Sequence, residues 1–155
     1  MSKSLNRVKS ALAAAGVPVT VHAMAAATRT AAEAAAGAGV ALDQIVKSIL
    51  LQGASGSLYL FLTAGGNQVD PARAAHLAGE PLHRAEAEAV RRITGFAIGG
   101  VSPVGHLTPL PIWLDPRLME FAQVWAAAGT PHHIFPIAPD ALLTLTQASL
   151  AEFTV

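Results

Sequence analysis

Two apolar runs lie almost back to back in the chain, and they constrain its fold more than any other feature. Gln44-Ile-Val-Lys-Ser-Ile-Leu-Leu-Gln52 and Ser57-Leu-Tyr-Leu-Phe-Leu-Thr63 are rich in branched and aromatic residues, and Gly53-Ala-Ser-Gly56 separates them. Short runs of this kind around a glycine-bearing loop predict a β-hairpin. Their near-continuous apolarity predicts strands covered on both faces, hence central to a sheet. The rest of the chain breaks into short elements. Apolar residues at 5, 8, 11, 12 and 15 give helical spacing over residues 4–15, with Ser4 as N-cap and Gly16 as stop. Pro18-Val-Thr-Val-His22 alternates like a strand. Thr30-Ala-Ala-Glu33 has the form of a capping box and opens a helix that Gly37-Ala-Gly39 ends. Asp70-Pro71 sets an N-cap before a first-turn proline, predicting a helix to Leu77. Residues 86–92 read as another helix. Asp115-Pro116 repeats the start signal, with residues 119–128 open to helix or strand. Residues 134–137 read as a strand, and Asp140 opens a last helix through Leu145. Together these predict one α+β domain over residues 1–155, with a mixed, largely antiparallel central sheet flanked by short helices.

Charge and composition narrow the chemistry. Ten basic and ten acidic side chains cancel, so a polyanionic partner would have to be held by a local patch. Lys3, Arg7, Lys9, Arg29 and Lys47 face only Glu33 and Asp43 in the first fifty residues, and Arg84, Arg91 and Arg92 form a second group. The absence of cysteine excludes a disulfide framework, a thiol nucleophile and thiolate metal ligands. Residues 48–69 and 93–114 carry no charge, yet glycines and prolines break both, so they read as buried strands and turns rather than bilayer spans. The expectation is a soluble cytoplasmic protein with no membrane partner and no DNA partner.

Two anomalies mark a site. Lys47 sits among Ile45, Val46, Ile49 and Leu50, where a charge must reach water or find a partner. An edge lysine that snorkels to solvent satisfies that demand as well as a functional one. Ile98-Gly-Gly-Val-Ser-Pro-Val-Gly-His106 is the second anomaly. Such a loop either makes a tight connection or brings backbone N–H groups up to a carbonyl or phosphate oxygen. The six histidines show no short ligand spacing, and His132-His133 would point to opposite faces of a strand, so no metal or other cofactor is expected. Ser102 lacks the nucleophile-elbow pattern, and a triad of Ser102, His106 and Asp115 has no positive support.

The order Val46-Lys-Ser-Ile-Leu50, then Gly99-Gly-Val-Ser-Pro103, then Ile137-Ala-Pro-Asp140 resembles the YbaK/ProX family, free-standing relatives of the editing insertion domain of bacterial prolyl-tRNA synthetase. The resemblance runs from the first helix to the last. It implies hydrolysis of mischarged aminoacyl-tRNA. It implies that Lys47 contacts the phosphate at the 3′ acceptor end. It also implies that the loop Gly99, Gly100, Val101, Ser102 and Pro103 holds the aminoacyl carbonyl, with the Gly100 and Val101 N–H groups as donors. Water would be activated by the substrate's own ribose hydroxyl, so no side-chain nucleophile is required. Met24 stands where some relatives carry an aromatic residue, and His132-His-Ile-Phe135 where small polar residues occur. Met24, Ile45, His133 and Ile134 are therefore expected in the pocket wall, with Arg91 and Arg92 gripping phosphate. The removed amino acid would be small, and the tRNA most simply tRNA(Pro). Selection would rest on the acceptor end or on prolyl-tRNA synthetase as partner, since no room remains for an anticodon-binding domain. The competing readings are a binding module for an RNA end or small molecule, without turnover, and a metal-dependent hydrolase using His106 and His132.

Overall fold

A computed structural model describes residues 2–155. Helix α1, Lys3–Ala14, starts one cap earlier than the sequence suggests. Ser2, not Ser4, is the N-cap, and its hydroxyl accepts the Leu5 N–H at 3.3 Å. The helix buries Leu5, Val8 and Leu12. The strand expected at residues 18–22 shrinks to β1, His22–Ala23. Val17, Val19 and Val21 do alternate onto the core, but no neighbouring strand lies beside them to complete a ladder. Helix α2, Ala31–Ala38, opens with the expected capping box, Thr30 and Glu33 each bonding the other's backbone at 3.1 Å. It runs through Gly37 and stops at Gly39.

The hairpin forms as read: β2, Val46–Gly53, pairs antiparallel with β3, Leu58–Ala64, from Val46↔Ala64 to Gln52↔Leu58. Helix α3, Pro71–Ala78, is capped by Asp70, whose carboxylate accepts the Ala72 N–H at 3.0 Å. Then come β4, Leu82–Arg84, α4, Ala87–Thr94, and a long loop to β5, Ile112–Leu114. Asp115-Pro116 opens only a 3₁₀ turn, Pro116–Glu120. The ambiguous segment that follows becomes β6, Val124–Thr130, because Val124, Ala126 and Ala128 are buried on alternate positions. Strand β7, His133–Ile137, helix α5, Pro139–Thr146, and β8, Ser149–Leu150, complete the chain.

The fold is α+β. The strands divide between two sheets rather than one: a five-stranded β4-β2-β3-β5-β8 and a three-stranded β1-β7-β6. Pairing is largely antiparallel, with parallel pairs at β3–β5 and β5–β8. A single parallel bridge, Ile45↔Trp125, ties the sheets together. The main core fills one face of the larger sheet, with Leu60, Leu62, Phe96, Leu114 and Phe135 fully buried. On the other face Phe61 stacks on Trp113 at 5.1 Å and meets Phe153 edge-on. Among the described residues no helix is long and apolar enough to cross a membrane.

Candidate active site

The site arises where strand pairing stops. Strand β4 covers β2 only at Leu51, Gln52 and Gly53. Over residues 46–50 the outer edge of β2 has no strand beside it, so alternate backbone N–H and C=O groups are left open there. Beyond the Ile45↔Trp125 bridge, β6 departs into the other sheet. The gap between the two strands is a cavity of about 540 Å³. Strand β2 forms one wall. Trp125, Ala126, Ala127 and Ile134 form the facing wall, and Ile98, Gly99 and Val101 close one end. Arg29, Lys47 and Arg84 line it, and no acidic side chain does.

Lys47 is held rather than free. Its Nζ donates to the carbonyl of Asn67, in the turn after β3. The Asn67 amide in turn donates to the buried Asp115 carboxylate at 2.9 Å, which also accepts the Ala64 N–H at 3.1 Å and the Arg117 N–H at 3.0 Å. Burial pulls the lysine ammonium below its usual value, and the charges of Asp115 and then Asp43 oppose that pull. The anomalous lysine of the sequence is thus half-buried and partnered.

The glycine loop is shaped for close backbone approach. Gly99 has φ +97°, a conformation side chains rarely adopt. A Cβ on Gly100 would come within 2.8 Å of the Thr130 backbone at the end of β6. The Gly100 N–H donates to the Ala97 carbonyl at 3.1 Å, so the turn itself uses that donor. This corrects the expectation that Gly100 presents its N–H to a ligand. The Val101 N–H makes no hydrogen bond among the described residues. Ser102 and Pro103 lie buried behind the wall. The Ser102 hydroxyl accepts the Val104 N–H at 3.2 Å, and its carbonyl meets His106 Nε2 at 2.7 Å. That contact requires a proton on Nε2, so His106 donates to the Ser102 carbonyl and braces the loop. Burial holds its pKa below the ordinary value.

The structure brings together Lys47, Gly99, Val101, Ile45 and Ile134 of the expected residues. Seven others do not line it: Gly100, Ser102 and Pro103 of the loop, and Met24, His133, Arg91 and Arg92. Met24 packs on α2, where Gly37 leaves room for its methyl group. His133 Nδ1 meets the Thr130 hydroxyl at 2.6 Å. Arg91 and Arg92 are exposed on α4, because Ala89, Val90 and Thr94 turn its other face inward, and Arg92 pairs with Glu88 at 3.0 Å. The arginines that do line the cavity are Arg29 and Arg84. Ser48 and Trp125 were also absent from the expected set. Both line the cavity, and the Ser48 Oγ and Trp125 Nε1 are buried with no hydrogen-bond partner among the described residues. Among the described residues no group of three or more His, Asp or Glu side chains converges as a metal site.

Residues 25–145 match the family described as aminoacyl-tRNA editing domain. A protein of Enterococcus faecalis provisionally named Cys-tRNA(Pro)/Cys-tRNA(Cys) deacylase EbsC is 28% identical over 120 residues, 75% of this chain and 71% of its own. The crystal structure of a provisionally assigned trans-editing enzyme for prolyl-tRNA synthetase superposes with a TM-score of 0.93 at 47% identity, covering 100% of this chain and 99% of the other. That of the hypothetical protein APE2540 gives 0.89 at 29% identity, covering 96% and 99%.

Proposed function

The chain belongs to the aminoacyl-tRNA editing domain family, and we propose that it acts in trans as a deacylase, removing a small amino acid mischarged on tRNA, with tRNA(Pro) as acceptor. The observation that carries this reading is the meeting of Lys47 and the Gly99–Val101 backbone around one cation-lined cavity. In this reading residues 1–155 work as a single cytoplasmic editing domain, and prolyl-tRNA synthetase is the enzyme whose errors it clears.

Each wall has a task. Lys47 and Arg84 neutralise the phosphate that leads into the terminal adenosine. A lysine clamped by Asn67 serves as a fixed charge and not as a base. The aminoacyl carbonyl points at the Val101 N–H, a cavity-lining donor that the loop leaves free. Water adds to that carbonyl, and the oxyanion gathers on the N–H. The ester C–O bond then breaks, and the 3′ oxygen leaves as a hydroxyl with the proton given up by water. A neighbouring ribose hydroxyl relays that proton, so the wall needs no carboxylate or imidazole. Donors preset for the oxyanion are typically a large catalytic term. Trp125 Nε1 and Ser48 Oγ offer a donor and a donor–acceptor to the polar end of the amino acid. Ile45, Ala126 and Ile134 give its side chain an apolar seat, where one methylene is worth about 1–3 kcal/mol.

The test is a deacylation panel on one tRNA(Pro), charged in turn with Ala, Cys, Ser, Pro and 2-aminobutyrate. Release of at least one small amino acid, faster than spontaneous hydrolysis, supports the reading. Salt-sensitive tRNA binding with no release of any of the five would replace it with a binding module.

A further inference from the structure

A second cavity of about 360 Å³ lies on the other side of the open β2 edge. It is lined by Ile49, Leu51, Val69, Pro71 and Leu82, with Gln68 and His83 beside them. Lys47, Ile49, Leu51 and Arg84 line both cavities, so the two share a wall and its two cations. No acidic side chain lines the second cavity. Building on the deacylase reading, we propose that this cavity is a nucleoside subsite for the residue preceding the aminoacylated adenosine.

The chemistry of the lining selects that occupant. A nucleobase has two apolar faces and a polar edge, and single-stranded ends are read by covering the faces and bonding the edge. Ile49, Leu51, Val69 and Leu82 supply apolar cover, and the Gln68 amide supplies both a donor and an acceptor. Two nucleosides joined by one phosphodiester need two pockets with positive charge between them. Lys47 and Arg84 are the cations common to both pockets. One dinucleotide end thus accounts for both cavities and for the position of both charges. Only a few phosphates are neutralised, in keeping with the neutral net charge of the chain.

The experiment compares two short substrates carrying whichever amino acid the panel shows to be released fastest. One is that amino acid esterified to adenosine 5′-phosphate, and the other is the same ester on cytidylyl-(3′→5′)-adenosine. The wild-type protein is expected to cleave the dinucleotide ester with a kcat/KM about 10-fold higher, the worth of about 1.4 kcal/mol of added contact. Leu82→Trp, which fills the cavity, and the double variant Gln68→Ala with His83→Ala, at two exposed positions, should each erase most of that advantage. Both should leave cleavage of the mononucleotide ester unchanged. Equal rates on the two substrates, or an advantage that survives in the exposed double variant, would overturn the subsite while leaving the deacylase reading standing. A panel in which no amino acid is released overturns the deacylase reading, and the subsite with it.

Discussion

The two arms of the hairpin are near twins in composition and opposites in use. Strand β3 has a partner on each side, and all its residues but Tyr59 are buried. Strand β2 has its outer edge open over residues 46–50, is only half-buried over residues 47–51, and lines both cavities. Apolar composition therefore specified that both would be strands, while the reach of the neighbouring β4 decided which would line the cavities. A closed strand contributes stability, whereas an open one leaves backbone groups and flanking side chains for a ligand.

Substitutions on the two strands should separate these roles. The largest effect is expected on β3. Leu62→Ala removes a fully buried side chain and should cost about 3 kcal/mol of unfolding free energy, read by urea denaturation. Its kcat/KM per folded molecule should stay close to wild type, and a large catalytic loss would break the contrast. On β2, Lys47→Ala should lower kcat/KM for deacylation about 100-fold, within the range lost when one charged contact to the substrate is removed. Its denaturation midpoint should move little, and a fully active variant would remove the lysine from the mechanism. Across the gap, Trp125→Phe keeps the ring but deletes the unpartnered Nε1–H. A rise in KM of about 5-fold is expected, the worth of about 1 kcal/mol, with the fold intact. The smallest effect concerns the loop that closes the cavity. Burial holds the His106 pKa below its ordinary 6.5, the Ser102 carbonyl pulls the other way, and Arg7 adds to the lowering. The unfolded chain therefore takes up the proton first, so stability is whole above about pH 6.5 and declines as pH falls below that value. Thermal unfolding followed across that range should show the decline, and His106→Gln should flatten it.

Much of this could be read from the residues. The hairpin, the Thr30–Glu33 capping box and the Asp70-Pro71 start are local signals, and each formed where its own side chains placed it. Lys47 and the Gly99-Gly100 pair stood out because each breaks a local rule that only a tertiary arrangement justifies. What escaped depends on pairing. The three-residue strands β4 and β5 are too short to show a period, so nothing in the sequence set Arg84 apart from the other arginines of its basic group. Arg91 and Arg92 look equivalent to it in the chain. The inward positions of Ala89, Val90 and Thr94 turn them away, a pattern that helical spacing alone carries. Residues 17–21 show the converse: their alternation is real and buries valines, but a strand also needs a neighbour. Trp125 was hidden by the helix-or-strand ambiguity of its segment, which resolved only through β7.

One bridge, Ile45↔Trp125, pins the two sheets where the gap between them begins. Its width is then governed by the angle at which the sheets diverge as well as by the side chains that face it. Behind the facing wall α1 packs on β6, burying Leu5, Val8 and Leu12. Under the proposed function, selectivity for the size of the amino acid would be adjustable from the foundations. A methyl group gained or lost beneath β6 is expected to shift that wall without altering the side chains that line the cavity.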